Sequence, residues 1–224
     1  MFQFKQFAVC DELCAMKVGT DGVLLGAWAD VAGDSRILDL GTGSGLIALM
    51  LAQRNHEADI VALDIDNEAT IQAQHNFSLS PWRKRLSVVN ANISDYDTQK
   101  RFSHIVTNPP YFVDSLHSPN AARTAARHTS SLPFSEIIAA CERLLEPGGR
   151  LSVILPYDVA SLFRREAFER LWLTRLLNII TKPGEEPRRT MMEFTLSSEP
   201  QMPRCDEMLM GSTQCRRLTE EFYL

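Results

Sequence analysis

The chain has 224 residues, 45% of them apolar and 23% charged, which is enough for one domain with a large core. No stretch approaches the roughly 18 consecutive apolar residues of a membrane span, and the N-terminus does not read as a signal peptide, so the expected location is the cytoplasm. A formal net charge of −5 argues against broad, nonspecific nucleic-acid binding and leaves room for local basic patches.

The opening "MFQFKQFAV" alternates apolar and polar residues and reads as a strand. Cys10 and Cys14 follow as C-x3-C without a second ligand pair, and with Cys141, Cys205 and Cys215 they make five scattered cysteines. That pattern predicts neither a metal site nor a disulfide framework. "RILDL" (Arg36 to Leu40) predicts a strand and Ser44 to Arg54 a helix. "ADIVALDI" (Ala58 to Ile65) predicts a second strand, followed by a helix from about Asn67 to Leu79. "LSVVNA" (Leu86 to Ala91) and "SHIVTN" (Ser103 to Asn108) predict two more strands. Phe134 to Leu145 predicts a helix stopped by Pro147-Gly148-Gly149. "RLSVILP" (Arg150 to Pro156) predicts a strand and Val159 to Arg170 a helix. "LTRLLNIIT" and "RRTMMEFTL" predict two strands joined by the loop Lys182 to Arg188, and without a helix between them they pair antiparallel. The alternation predicts an α/β fold, a mostly parallel sheet with helices on both faces. The segment after Pro200 has no pattern that places it.

Directly after the first of these strands comes "DLGTGSG", with Asp39, Gly41, Gly43 and Gly45. Glycines at a strand-to-helix turn let a ligand approach the backbone. A dinucleotide fingerprint needs G-x-G-x-x-G, and here Leu46 stands where its third glycine belongs. Asp39 before the glycines would repel a pyrophosphate and welcome a cationic amino group, which disfavours a nicotinamide-dependent oxidoreductase. Asp64 closes the second strand about 20 residues beyond the glycines, where a carboxylate accepts from two ribose hydroxyls. Asp66 lies two residues on and can instead cap the next helix. Asn92, after the third strand, is placed to meet an adenine edge. A nucleoside with a positively charged, non-phosphate tail fits this set, and S-adenosyl-L-methionine is such a molecule.

With these residues the chain resembles the class I S-adenosylmethionine-dependent methyltransferases over residues 1 to about 198. The resemblance implies a Rossmann-like, seven-stranded, mostly parallel sheet with an antiparallel last strand. It also implies a single domain over 1–198, with residues 1–30 forming a cofactor lid, and leaves 199–224 as a tail of unknown structure. "KVGTDGVLLGAW" (Lys17 to Trp28), "NPPY" and "AARHTSSLPF" together resemble the bacterial tRNA1(Val) adenine-N6 methyltransferases, which modify the adenosine beside the anticodon. That resemblance places Lys17, Thr20 and Asp21 at the lip of the cofactor site and adds Ile65, Ile93 and Asn108 to the cofactor's surroundings. By position alone, Thr20 or Asp21 can also cap a helix starting at Gly22.

Asn108-Pro109-Pro110-Tyr111 ends the fourth strand of the alternating region, beside the crevice where ligands of parallel sheets sit. An exocyclic amine is a poor nucleophile because its lone pair is delocalised into the ring. Accepting hydrogen bonds from both its N–H groups pushes it toward a reactive, pyramidal geometry. The Asn108 side-chain oxygen and the Pro109 carbonyl are two such acceptors, and each is followed by a proline that holds it extended. Tyr111 can stack on a flat base, with Phe112 extending the wall. The motif specifies a planar nitrogen. A release-factor glutamine amide or a ribosomal guanine N2 would satisfy it as well as an adenine N6, and a noncatalytic RNA-binding module is a further alternative. Arg123, Arg127 and His128, and in the late loop Lys182, Arg188 and Arg189, are the cations placed to meet phosphate. The expected partner is the anticodon loop of a tRNA, and the default oligomeric state is a monomer.

Overall fold

The structure, a computed structural model, describes residues 1–110 and 132–223. Tyr111, Phe112, Arg123, Arg127 and His128 lie outside the described residues.

A two-stranded hairpin opens the chain: β1 (Phe2–Gln3) and β2 (Ala8–Val9). The elements that follow are α1 (Thr20–Trp28), β3 (Arg36–Leu40), α2 (Leu46–Arg54), β4 (Asp59–Asp64), α3 (Asn67–Leu79), β5 (Leu86–Asn90) and β6 (Phe102–Thr107). Then come α4 (Phe134–Leu144), β7 (Leu145–Pro156), α5 (Tyr157–Ala167), β8 (Trp172–Ile180), β9 (Arg189–Thr195), β10 (Arg204–Leu209) and α6 (Thr213–Thr219). The main sheet has the order β10-β8-β9-β7-β6-β3-β4-β5. Only β9 runs against its neighbours β7 and β8; the other pairs are parallel.

Strand side chains alternate between faces, so a strand buried on both sides feeds two cores. Ile37, Val106 and Ile154 join the core that holds α1, α2, the inner face of α3 and the N-terminal hairpin. Leu38, Ile105 and Val153 join the opposite core, under α4 and α5. In α2 the residues from Leu46 to Gln53 are all buried, because the helix is sandwiched between the sheet and α1. Gly26 permits that crossing: a Cβ on it would stand 2.8 Å from Met50 Sδ.

Three sequence expectations are corrected and one is extended. The opening is a hairpin and not one strand, with Phe4 N–H donating to Phe7 O across the turn and both rings buried. α1 begins at Thr20 with Gly19 as its cap and no side-chain cap, so neither Thr20 nor Asp21 caps it. The helix before Pro147-Gly148-Gly149 ends at Leu144, as expected, but the motif does more than follow that stop. It sits inside the start of β7, where the β6–β7 register jumps from Phe102↔Leu145 to His104↔Arg150 and Gly148 takes φ +80°. The main sheet has eight strands and not seven, because β10 from the unplaced tail adds alongside β8. The tail beyond β10 closes on the N-terminus: Lys5 N–H donates to Phe222 O at 2.9 Å, and Phe2, Phe4 and Tyr223 form one ring cluster.

At the sheet's centre lies a buried polar chain. His104 Nδ1 meets Asp34 Oδ2 at 2.8 Å and His104 Nε2 meets Ser152 Oγ at 2.9 Å, while Arg150 Nη2 donates to Asp34 Oδ1 at 2.9 Å. Ser152 and His104 are fully enclosed, so this serine, histidine and aspartate form a brace and no substrate can reach them. Burial pushes the Asp34 carboxyl up, but the bonds and charges of His104 and Arg150 outweigh it and hold the group below its ordinary value of 3.8. The stabilisation is therefore present above pH 3.8 and lost as pH falls through the lower folded value. Asp34→Asn is expected to cost about 1–3 kcal/mol at pH 7. In chemical denaturation the gap between variant and wild type should narrow below about pH 4.

Candidate active site

Parallel strands aligned in register end on one crest. Leu40 faces Leu63 on one side and Thr107 on the other, and Asp64 faces Asn90. Thr107 Oγ1 locks that register by donating to Leu40 O at 2.8 Å. The residues that follow these ends, Gly41, Ile65, Asn92 and Asn108, are thus delivered to one rim of the sheet. The sequence had placed all four in one site.

Gly41, Gly43 and Gly45 all hold positive φ, at +72°, +54° and +82°. They serve two purposes. A Cβ on Gly41 or Gly43 would meet nothing within 4 Å, so the turn is an open cradle there. A Cβ on Gly45 would stand 2.5 Å from Phe77 Cε1, so this glycine is needed for α3 to pack against the turn. The N–H groups of Gly41 and Thr42 donate to Leu63 O, and Gly43 N–H donates to Asp64 Oδ2 at 2.8 Å.

Beneath the turn Asp39 is fully buried. Its Oδ2 accepts from Thr42 Oγ1 at 2.6 Å and from Ala48 N–H at 3.1 Å, and its Oδ1 has no partner among the described residues. Burial pushes the carboxyl up to about 7. An unpaired acceptor under the glycines is the opposite of what a phosphate needs. It suits a cationic neighbour, which would draw the proton off.

Each Asp64 oxygen already accepts one backbone N–H, from Gly43 at 2.8 Å and from Asp66 at 3.0 Å, and each keeps one lone pair for a hydroxyl. Asp66 also caps α3, accepting from Glu68 N–H at 2.9 Å, as the sequence allowed. Ile65 is 66% exposed, an apolar side chain held out beside that carboxylate. Asn92 spends its Oδ1 on Ser94 N–H at 3.0 Å, which leaves its amide nitrogen for a ring edge. Ile93 points into the core and its carbonyl accepts from Arg143 Nη2 at 2.6 Å, so its side chain does not face the rim.

The lip is more ordered than the sequence implied. Lys17 Nζ donates to Asp11 O at 2.8 Å and Glu12 O at 3.2 Å. A Cβ on Gly22 would lie 3.2 Å from Leu46, so the first turn of α1, with Thr20 and Asp21, abuts the glycine turn. Asp21 Oδ2 accepts from Arg189 Nε at 2.7 Å. Arg189, assigned to RNA on sequence grounds, thus pairs with the first turn of α1, whereas Arg188 is exposed in the late loop near Glu185. At the end of β6, Asn108 Oδ1 is buried with no hydrogen-bond partner among the described residues, and Pro109 is buried as well.

Three residues of the site escaped the sequence reading: Thr42, Gln72 and Asn76. The last two sit with Ala69, Ala73 and Phe77 on the buried face of α3, and polar side chains at apolar positions were the signal to look for.

A parallel sheet in this strand order, with an open glycine cradle and a carboxylate closing the neighbouring strand, defines a class I S-adenosylmethionine-dependent methyltransferase. Solved structures share the fold. A predicted O-methyltransferase from Agrobacterium tumefaciens is 20% identical with TM-score 0.67, covering 90% of this chain and 96% of its own. The N-methyltransferase NodS from Bradyrhizobium japonicum, in complex with S-adenosyl-L-homocysteine, is 18% identical with TM-score 0.56, covering 77% of this chain and 83% of its own. A curated protein of Bacteroides thetaiotaomicron named tRNA1(Val) (adenine(37)-N6)-methyltransferase is 48% identical, across 100% of this chain and 97% of its own length. Residues 18–161 match the methyltransferase small domain family, and the chain belongs to it.

Proposed function

We propose that this protein transfers the methyl group of S-adenosyl-L-methionine to the exocyclic N6 of adenosine 37 in tRNA1(Val), in the cytoplasm. Full-length similarity to a protein named for that reaction supports the substrate. The observation that carries the chemistry is the buried, unpartnered Asn108 Oδ1, one residue past the Thr107–Leu40 pair and so beside the glycine cradle. A buried acceptor without a donor is costly in the free protein, and a bound amine supplies the missing N–H.

When bound, the cofactor supplies an electrophilic methyl group on a sulfonium sulfur. Gly41 and Gly43 let its chain approach the backbone, Asp39 faces its amino group, Asp64 takes the ribose hydroxyls, and Ile65 and Asn92 meet the adenine. Lys17, Thr20, Asp21 and the backbone at Ile93 complete the surroundings, with residues 1–30 as a lid. On the acceptor side, Asn108 Oδ1 and the Pro109 carbonyl each take one N–H of the target amine. Both are fixed dipoles, already aimed where positive charge grows on nitrogen. Pro110 removes a competing N–H donor and holds Pro109 extended. Tyr111 and Phe112 stack on the base, and Arg123, Arg127 and Arg188 meet phosphate, while Arg189 holds Asp21 at the lip. No strong base is needed, because the nitrogen becomes acidic once it carries the methyl group.

Purified protein should place label from methyl-labelled cofactor on an unmodified tRNA1(Val) transcript, and lose it when adenosine 37 is replaced by guanosine. Equal labelling of the replaced transcript, or labelling of ribosomal RNA or a release factor instead, would overturn this assignment.

A further inference from the structure

The loop between the hairpin and α1 is closed by its own hydrogen bonds. Asp11 Oδ2 accepts from Val18 N–H at 2.8 Å, Cys14 N–H donates to Asp11 O, and Lys17 crosses back to Asp11 and Glu12. Among the described residues, two side chains from outside hydrogen-bond to the loop's backbone, and both come from the buried face of α3. Leu13 N–H donates to Gln72 Oε1 at 3.3 Å. Asn76 does more: its Oδ1 accepts Cys10 N–H at 3.0 Å, and its Nδ2 donates to Cys10 O at 2.7 Å and to Ser44 O at 2.8 Å.

Ser44 lies inside the glycine turn, between Gly43 and Gly45. One side chain, 2% exposed, therefore grips the N-terminal loop with one edge and the cofactor cradle with the other. The loop it holds runs beside the ribose carboxylate, close enough for the charges of Asp64 and Asp66 to bear on Cys14. We propose that Asn76 is a positioning residue of the cofactor site: it docks loop 10–18 onto the glycine turn, so that the rim of the crevice and its floor move together. This rests on the methyltransferase reading above and deepens it. Asn76 touches neither cofactor nor substrate. Its output is the time the cofactor stays bound.

Asn55 gives a matched control at the far end of α2. It is also buried, donates to Val31 O and Asp34 O, and accepts from Glu57 and Ala58 N–H, so its loss should lower stability without touching the rim. Dissociation of S-adenosyl-L-homocysteine would be followed by stopped-flow for wild type, Asn76→Ala, Gln72→Ala and Asn55→Ala. Asn76→Ala is expected to release the ligand about tenfold faster. Gln72→Ala, which deletes one bond, should shift the rate less and in the same direction, and Asn55→Ala should leave it unchanged. Hydrogen exchange at the Cys10 and Val18 amides should speed up in Asn76→Ala and not in Asn55→Ala. Equal effects of the Asn76 and Asn55 changes on dissociation, or an unchanged rate in Asn76→Ala, would overturn the inference alone. A wild-type protein that does not bind the ligand would overturn the methyltransferase reading, and this inference with it.

Discussion

Asn108→Ala should slow methyl transfer by about 10²–10³-fold, the scale seen when one preorganised dipole facing a transition state is removed. S-adenosyl-L-homocysteine affinity should change little, because the glycine cradle and Asp64 carry most of the cofactor contacts. The split follows from where Oδ1 sits. It is buried and has no donor among the described residues, so we assign it to an N–H of the target amine. Removing it relieves an unpaired acceptor in the free enzyme and deprives the transition state of one, so stability should hold while single-turnover rate falls. Asn108→Asp keeps an acceptor at the same place and should retain more activity than Asn108→Ala. If both variants are equally slow, Asn108 acts through its amide nitrogen. If both transfer at the wild-type rate, the paired-acceptor mechanism is wrong.

What the sequence revealed of this site is what backbone conformation demands. Gly41, Gly43 and Gly45 could be read because positive φ leaves little choice of residue, and Asn108-Pro109-Pro110 because proline restricts both itself and its predecessor. The buried central strands showed as β-branched runs, and α3 as the segment between Asp66 and Ser80. Asn76 and Gln72 did not show. Their meaning depends on Cys10 and Leu13, more than fifty residues away, and nothing local separates a buried polar anchor from a solvated one. The tail was illegible for a related reason. β10 is an edge strand with its first four residues exposed, so it lacks an apolar period and is held in place by main-chain pairing with β8. Pro147-Gly148-Gly149 marked the helix end, but its second use, in a bulge inside β7, depends on pairing with β6 and was not legible.

Asp64→Asn should move affinity and stability in opposite directions. The substitution leaves one neutral acceptor in place of two charged ones. Losing charge-assisted bonds to the ribose should weaken S-adenosyl-L-homocysteine binding by about 10²-fold in calorimetry. The free protein responds differently. Burial is the largest influence on Asp64 and raises its pKa above 3.8, against the pull of the N–H groups of Asp66 and Gly43. For a carboxylate raised in this way, the stabilising contribution is full below pH 3.8 and is lost as pH climbs through the higher folded value. Asparagine has no charge to acquire, so Asp64→Asn should gain melting temperature on the wild type as pH rises across that window and keep the gain at neutral pH. A gap in melting temperature that does not vary with pH would show that Asp64 ionises freely in the folded chain. Unchanged ligand affinity would remove it from the ribose. Both results as expected would mean that the protein carries a strained carboxylate at the end of β4 for the sake of the cofactor it binds.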